Sequence, residues 1–306
     1  MAENRIYERT VVRRLAEADR ALVVCANTLR RADFPTRVQA AGQAGFAGIG
    51  LRLSDYRQAR DAGLSDRDMV SLLDSRGLQL VELEGVWDWV SSNQSADTKA
   101  GSEEAIIRHM AEAFGCRHVN ISLFFPHDLA DIVDAYGTLC DRAAQAGLLV
   151  GLEFIPYSEI PTPREAKKIV DMAARVNGGL TLDAWHYFRC GATTAELLAL
   201  PASDIVAVQL NDVLPTAAPD LKEEGRHHRQ APGDGAGDLA GFIGAMKELQ
   251  VEAPVEVEIF SDDLDSMEPA VTARTTLDKT RRVLVEAGWN QSSGTTCGTR
   301  RWPSWP

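Results

Sequence analysis

The chain has 306 residues, 45% hydrophobic and 25% charged, which is enough apolar material for a large core and unlike the composition of a disordered chain. Its formal net charge of −12 argues against nucleic acid or an anionic membrane as a partner, and no local basic patch offsets it. The opening residues mix both charge signs before any apolar run, which reads as neither a secretory signal nor an anchor and makes the cytoplasm the expected compartment. Five cysteines, Cys25, Cys116, Cys140, Cys190 and Cys297, form no CxxC pair and read as free thiols, not as a disulfide framework or a zinc ribbon.

Residues 1–20 read as an N-terminal extension. From residue 21 onward, eight short apolar runs alternate with helical patterns: 21–26, 48–53, 78–83, 118–123, 148–154, 180–184, 205–210 and 255–259. The intervening stretches are amphipathic, and several end in Gly just before the next run, as helix C-termini do. The sixth, TTAELLALPASD, is short and broken by Pro201. Buried, non-alternating strands in eight strand-then-helix units predict an α/β fold, a single (β/α)8 TIM barrel over 21–289, and no GxGxxG follows the first strand to suggest an open dinucleotide-binding sheet. Residues 214–239 form a long polar loop rich in Pro and Gly after strand seven, expected to order over a bound substrate. The tail, 290–306, lacks periodicity and reads as disordered, an oligomer contact or a cloning remnant.

Barrel sites are built at the C-terminal ends of strands, and the last four runs each carry a polar interruption there: Glu153 in GLEFIP, Asp183 in LTLDAWH, Gln209 in VAVQLND and Glu258 in VEVEIFSD. A single acid in such a place serves equally well as a salt-bridge partner. Four on consecutive strands point to a shared cation, because unpaired carboxylates in apolar surroundings are costly or become neutral. The donor set is hard and oxygen-rich, suiting one divalent ion, Mn2+ or Mg2+, with Co2+ or Zn2+ as alternatives. Glu256 competes with Glu258, since residues two apart share a strand face; Glu258 is preferred for lying nearer the rim. His186, three residues after Asp183, is placed to donate to a substrate oxygen or to move a proton. Arg189 and Arg229 are candidate clamps for anionic or vicinal oxygens. Trp87, Trp89, Trp185, Tyr187 and Phe188 could wall a substrate or simply pack under loops, and one of Glu82 and Glu84 is expected to face the interior.

Taken in order, GLEFIP, LDAWHYFRCG, VQLND, the RxxPGDG turn and VEVEIFSD resemble the sugar phosphate isomerase/epimerase superfamily, the xylose-isomerase-like barrels. The resemblance covers residues 20 to 289. It implies a metal held by Glu153, Asp183, Gln209 and Glu258, with His186 and Arg229 touching substrate. Many isomerases and epimerases of the group carry His where this chain has Gln209; glutamine there is similar to some dehydratase members, including 3-dehydroshikimate dehydratases. The family also includes endonuclease IV, whose zinc cluster needs more histidines than the strand ends here supply.

The expected activity is metal-dependent isomerisation or epimerisation of a keto-polyol or a cyclic or aryl-bearing oxygenated substrate through an enediolate, Glu153 and Glu258 exchanging the proton while His186 and Arg229 hold oxygens. A leaving hydroxyl beta to the carbonyl would make the same chemistry a dehydration, on a 3-dehydroshikimate or inosose type of substrate. A barrel without metal, serving as a non-catalytic subunit of a complex, is the reading from a different class. The expected partners are a small oxygenated molecule and, at most, further copies of the chain in a homo-oligomer.

Overall fold

Strands that are apolar on both faces must be covered on both, and a closed sheet wrapped in helices does this without leaving an edge. The computed structural model describes residues 22–85, 88–92 and 99–289. In it, β1 (Leu22–Val24), β2 (Gly48–Leu51), β3 (Gln79–Glu84), β4 (His118–Ile121), β5 (Leu149–Glu153), β6 (Gly178–Asp183), β7 (Ile205–Leu210) and β8 (Val255–Val257) form one closed barrel in chain order. All pairs are parallel, and β1 closes on β8 with Leu22 opposite Val255 and Val24 opposite Val257. The N-terminal extension, Trp87 and the C-terminal tail lie outside the described residues.

The strand ends differ from the sequence reading in an informative way. β1 and β8 leave the ladder early, so Cys25, Ala26, Glu258 and Ile259 lie just beyond it yet stay buried. β6 starts earlier than its apolar run, at Gly178; glycine carries no strand signal, but a side chain at Gly179 would overlap the Asp204 backbone.

Helix starts are set by local capping. Asp33 accepts from Thr36 N at 2.9 Å ahead of the Phe34–Ala44 helix, which ends at Gly45 with φ 99°, a left-handed value that favours glycine. Ser65 and Asp68 form a reciprocal capping box ahead of the Asp66–Ser75 helix. Thr162 caps Pro163–Ala173 by accepting from Glu165 N. The interrupted sixth unit resolves into a short helix, Thr194–Leu198, and a 3-10 turn, Ala202–Asp204. No helix among the described residues is long and apolar enough to cross a membrane.

The long segment after β7 is more structured than its composition suggests. It contains a helix, Leu221–His227, capped by Asp220, and is pinned by isolated antiparallel bridges between Asp212 and Gln230 and between His228 and Ser261. Asp212, at the end of VQLND, gathers the following turn: its carboxylate accepts from the backbone N–H groups of Val213, Gly233, Gly235 and Gly237 at 2.8–3.1 Å. A Cβ at Gly235 would come within 2.6 Å of that carboxylate, and Gly233 has φ 83°, so one glycine of PGDG is required by the close approach and the other by its left-handed backbone. Replacing Asp212 by Ala strands several of these donors and should destabilise the protein by about 2–4 kcal/mol, read as a lower urea midpoint. A midpoint equal to wild type would show that the turn holds itself.

Candidate metal centre

The DAWH motif is first of all a helix start. Asp183 ends β6 and caps the Ala184–Cys190 helix, its Oδ1 accepting from His186 N at 2.9 Å. The three-residue spacing thus follows from cap geometry, and it fixes the imidazole beside the carboxylate. His186 Nε2 lies 3.4 Å from Glu153 Oε1 of β5, and the ligand atoms of Glu153, Asp183 and His186 all fall within 4.8 Å of one another.

Arg229, from the segment after β7, joins this group to β8. Its Nη1 donates to Asp183 Oδ2 at 3.0 Å and to Glu258 Oε2 at 3.1 Å, and its Nη2 lies 3.3 Å from His186 Nε2. The guanidinium is 4.7 Å from the Phe260 ring centroid and 5.4 Å from that of Trp185, a buried cation between two ring faces. Burial works to lower its pKa, but the charges of Asp183 and Glu258 hold it above the usual value. Asn211 donates to Asp183 Oδ2 at 2.6 Å, and Asn27 to Glu258 Oε1 at 3.1 Å.

Gln209 sits on the other flank, opposite Asp183 on β6 and Glu256 on β8. Its Nε2 donates to Glu82 Oε1 at 3.1 Å, and its buried Oε1 makes no hydrogen bond. Glu256 turns to His118, 3.2 Å away, while Glu258 meets Arg229; the two β8 acids therefore serve different neighbours. Glu82 is fully buried and Glu84 half-buried, bonded to Asn120 and Asn27 respectively.

The electrostatics are those of acids short of cations. Burial first, then the charge of Asp183, pushes Glu153 up to about 8. Burial likewise pushes Glu256 and Glu258 up to about 8, against the lowering effect of Arg117 and Arg229 respectively. His186 is pushed down to about 3 by burial and stays neutral near pH 7. Glu153 Oε1, beside Asp183, and Gln209 Oε1, on the strand between those of Asp183 and Glu256, are buried acceptors without hydrogen bonds, so the residues present fit a divalent cation.

Of the other expected contacts, Trp185 stays beside the site and the rest pack away from it. Arg189, on the Ala184–Cys190 helix, is held by the segment after β7, its Nε donating to buried Glu224 at 2.6 Å and its Nη2 to Leu214 O. Trp89 packs edge-on to Tyr136 and donates to Ser122 O, and Tyr187 and Phe188 pack on Phe242 of the Leu239–Glu248 helix; these rings are core. Trp185 is buried beside His186, meets Tyr157 edge-on and donates to Glu224. Tyr157 in turn stacks on Phe124. Glu82 is the member of the Glu82/Glu84 pair that is fully buried in the barrel; Tyr157, Phe260, Asn27, Asn211 and Asn120, the partner of Glu82, were missed in the sequence, because each is recruited across the barrel by residues remote in the chain.

The closed eight-stranded parallel barrel sets the fold class, and sequence comparison places the chain in a family of that fold. It belongs to the xylose isomerase-like TIM barrel family, whose sequence pattern matches residues 38–283. Among curated relatives it is 26% identical over 233 residues to a 3-dehydroshikimate dehydratase of Pseudomonas aeruginosa, an alignment taking in 74% of this chain and 36% of that protein. It is 32% identical over 152 residues to an inosose isomerase of Bacillus subtilis, covering 48% of this chain and 54% of that one. The chain thus spans about a third to about half the length of the curated relatives it matches. A crystal structure of an IOLI protein with a bound zinc atom superposes with a TM-score of 0.78 at 20% identity, covering 87% of this chain and 99% of that one, a likeness of fold. The relatives are enzymes: dehydratase, isomerase and, among the solved structures, a D-allulose 3-epimerase of Methylomonas.

Raised carboxylates make a prediction with a definite sign. The unfolded chain ionises Glu153, Glu256 and Glu258 near 4.5, whereas the fold holds their protons to about 8. Their contribution is fully present below about 4.5 and is lost as pH rises towards 8. Chelator-treated protein should melt lower at pH 8 than at pH 6, and saturating Mn2+ should narrow the gap. A gap unchanged by cation would disconnect the acids from metal.

Proposed function

We propose that the protein is a divalent-metal-dependent enzyme that removes a proton beside the carbonyl of a cyclic hydroxyketone. The observation carrying this reading is the gathering of Glu153, Asp183 and Glu258, with open acceptors on Glu153 and Gln209, around neutral His186 and buried Arg229. A cation held by Glu153, Asp183, Gln209 and Glu258 would polarise the carbonyl and offset negative charge on its oxygen. That oxygen set suits Mn2+ or Mg2+, with Co2+ or Zn2+ as alternatives.

The chain's own groups supply the rest. Glu153 and Glu258 arise from β5 and from the exit of β8, so they can serve as separate proton carriers, one removing the proton from carbon and the other returning it. Neutral His186 can hydrogen-bond a substrate oxygen without adding charge. Arg229 presents fixed donors to an oxygen gaining negative charge, and the faces of Trp185 and Phe260 hold its guanidinium in place. Tyr157 and Trp185 offer an apolar flank suited to a ring.

Dehydroshikimate and inososes are both six-membered carbocyclic hydroxyketones, and proton removal beside the carbonyl is open to each. A 152-residue segment aligns at 32% identity with an inosose isomerase, which favours returning the proton; a 233-residue alignment at 26% identity is with a dehydratase, which favours expelling a beta hydroxyl as water.

Incubation with Mn2+ in deuterated water separates these outcomes by product mass. One solvent deuterium on carbon without mass loss supports isomerisation or epimerisation; loss of water supports the lyase. Glu153→Gln should slow exchange about 100-fold or more. Absence of both exchange and dehydration with dehydroshikimate and with inososes would contradict the proposal.

A further inference from the structure

Beneath the acidic mouth, the barrel interior carries three polar side chains that the reaction does not use, Thr181, Asn120 and Glu82, and they lead to Gln209. Thr181 Oγ1 of β6 donates to Asn120 Oδ1 of β4 at 2.5 Å. Asn120 Nδ2 then donates to Glu82 Oε1 of β3 at 2.7 Å, and the same oxygen accepts from Gln209 Nε2 of β7 at 3.1 Å. All of these residues are at most 2% exposed. Glycines on two further strands make room for these side chains: a Cβ at Gly151 of β5 would overlap Thr181 Oγ1 and come within 2.9 Å of Asn120 Oδ1, and a Cβ at Gly50 of β2 would overlap the Glu82 carboxylate.

Glu82 sets the direction of these bonds. A threonine hydroxyl can give or accept, but with the Asn120 nitrogen donating to Glu82 Oε1 the Asn120 oxygen is left to take the Thr181 proton. Glu82 Oε1 is an acceptor, so it takes that nitrogen and the Gln209 nitrogen together. A reversed Gln209 would set its carbonyl oxygen against a carboxylate oxygen, at the cost of a buried hydrogen bond. The amide nitrogen is therefore committed, and Oε1 is the end left over.

We infer that Glu82, aligned by Thr181 and Asn120 in the space left by Gly50 and Gly151, is a positioning residue that fixes the Gln209 amide with its oxygen free for the cation. This rests on the metal-site reading above. Glutamine, unlike a carboxylate, has one end that binds a cation and one that repels it, so a glutamine at this place needs an acceptor to choose between them, much as a metal-bound histidine needs one to fix its tautomer.

The test is Mn2+ affinity by calorimetry on the full chain, independent of turnover. Glu82→Leu removes the acceptor and should weaken binding about tenfold. Glu82→Gln keeps a carbonyl oxygen for both donors and should bind close to wild type. In a Gln209→Ala background, Glu82→Leu should cause no further loss. Thr181→Val, nearly isosteric, should weaken Mn2+ binding in the same direction and carries the test if Glu82→Leu does not fold. The sulfur of Cys25 and carboxylate oxygens of Glu82 and Glu258 also lie within 4.8 Å of one another, so Glu82 acting by charge or as a ligand is the rival account. Glu82→Gln as damaging as Glu82→Leu, or a loss persisting without Gln209, would overturn the inference and leave the metal site standing. No Mn2+ uptake by wild type would overturn both.

Discussion

Carboxylates buried with too little positive charge set the terms for this barrel. Glu153, Asp183 and Glu258 converge where one guanidinium, that of Arg229, reaches two of them, and Glu82 and Glu256 lie beneath, fully buried. Desolvation alone makes each ionised acid expensive, and their mutual repulsion adds to the cost. The fold tolerates this in the way functional sites do: surrounding elements hold in place an arrangement that local energetics oppose. A cation would convert the cost into binding energy.

The rest of the architecture serves that arrangement. Asp183 caps the helix that carries His186, so the backbone itself sets the carboxylate beside the imidazole. Asp212 ties down the glycine turn following Arg229, and Glu224 anchors Trp185 and Arg189 at the other end of the same segment. The arginine is therefore delivered by a braced segment between two anchors. Closed-barrel topology brings β5 to β8 together along one arc, which is why residues 105 positions apart, Glu153 and Glu258, can share one site.

Much of this was legible in the sequence for a physical reason. Parallel strands buried on both faces read as apolar runs, so all eight were visible, and an acid interrupting such a run near its end stands out. The polar helix Leu221–His227 was hidden because it has no apolar stripe, although Asp220 followed by acidic residues was its available signal. Arg189 looked like a free clamp because its partner, Glu224, lies 35 residues away. Tyr187 and Phe188 looked like wall residues because a sequence does not say that Phe242 will cover them. Asn120 and Thr181 gave no signal at all: each is flanked by apolar residues, and only the cross-barrel register links them to Glu82.

The central claim is that these acids share one cation. Anomalous diffraction from crystals soaked in Mn2+ tests it most directly. The account predicts a single strong peak bounded by Glu153, Asp183, Gln209 and Glu258, with Arg229 no longer bridging Asp183 and Glu258. A peak among Cys25, Glu82 and Glu258 instead, or no peak with the Arg229 bridge intact at saturating Mn2+, would contradict it.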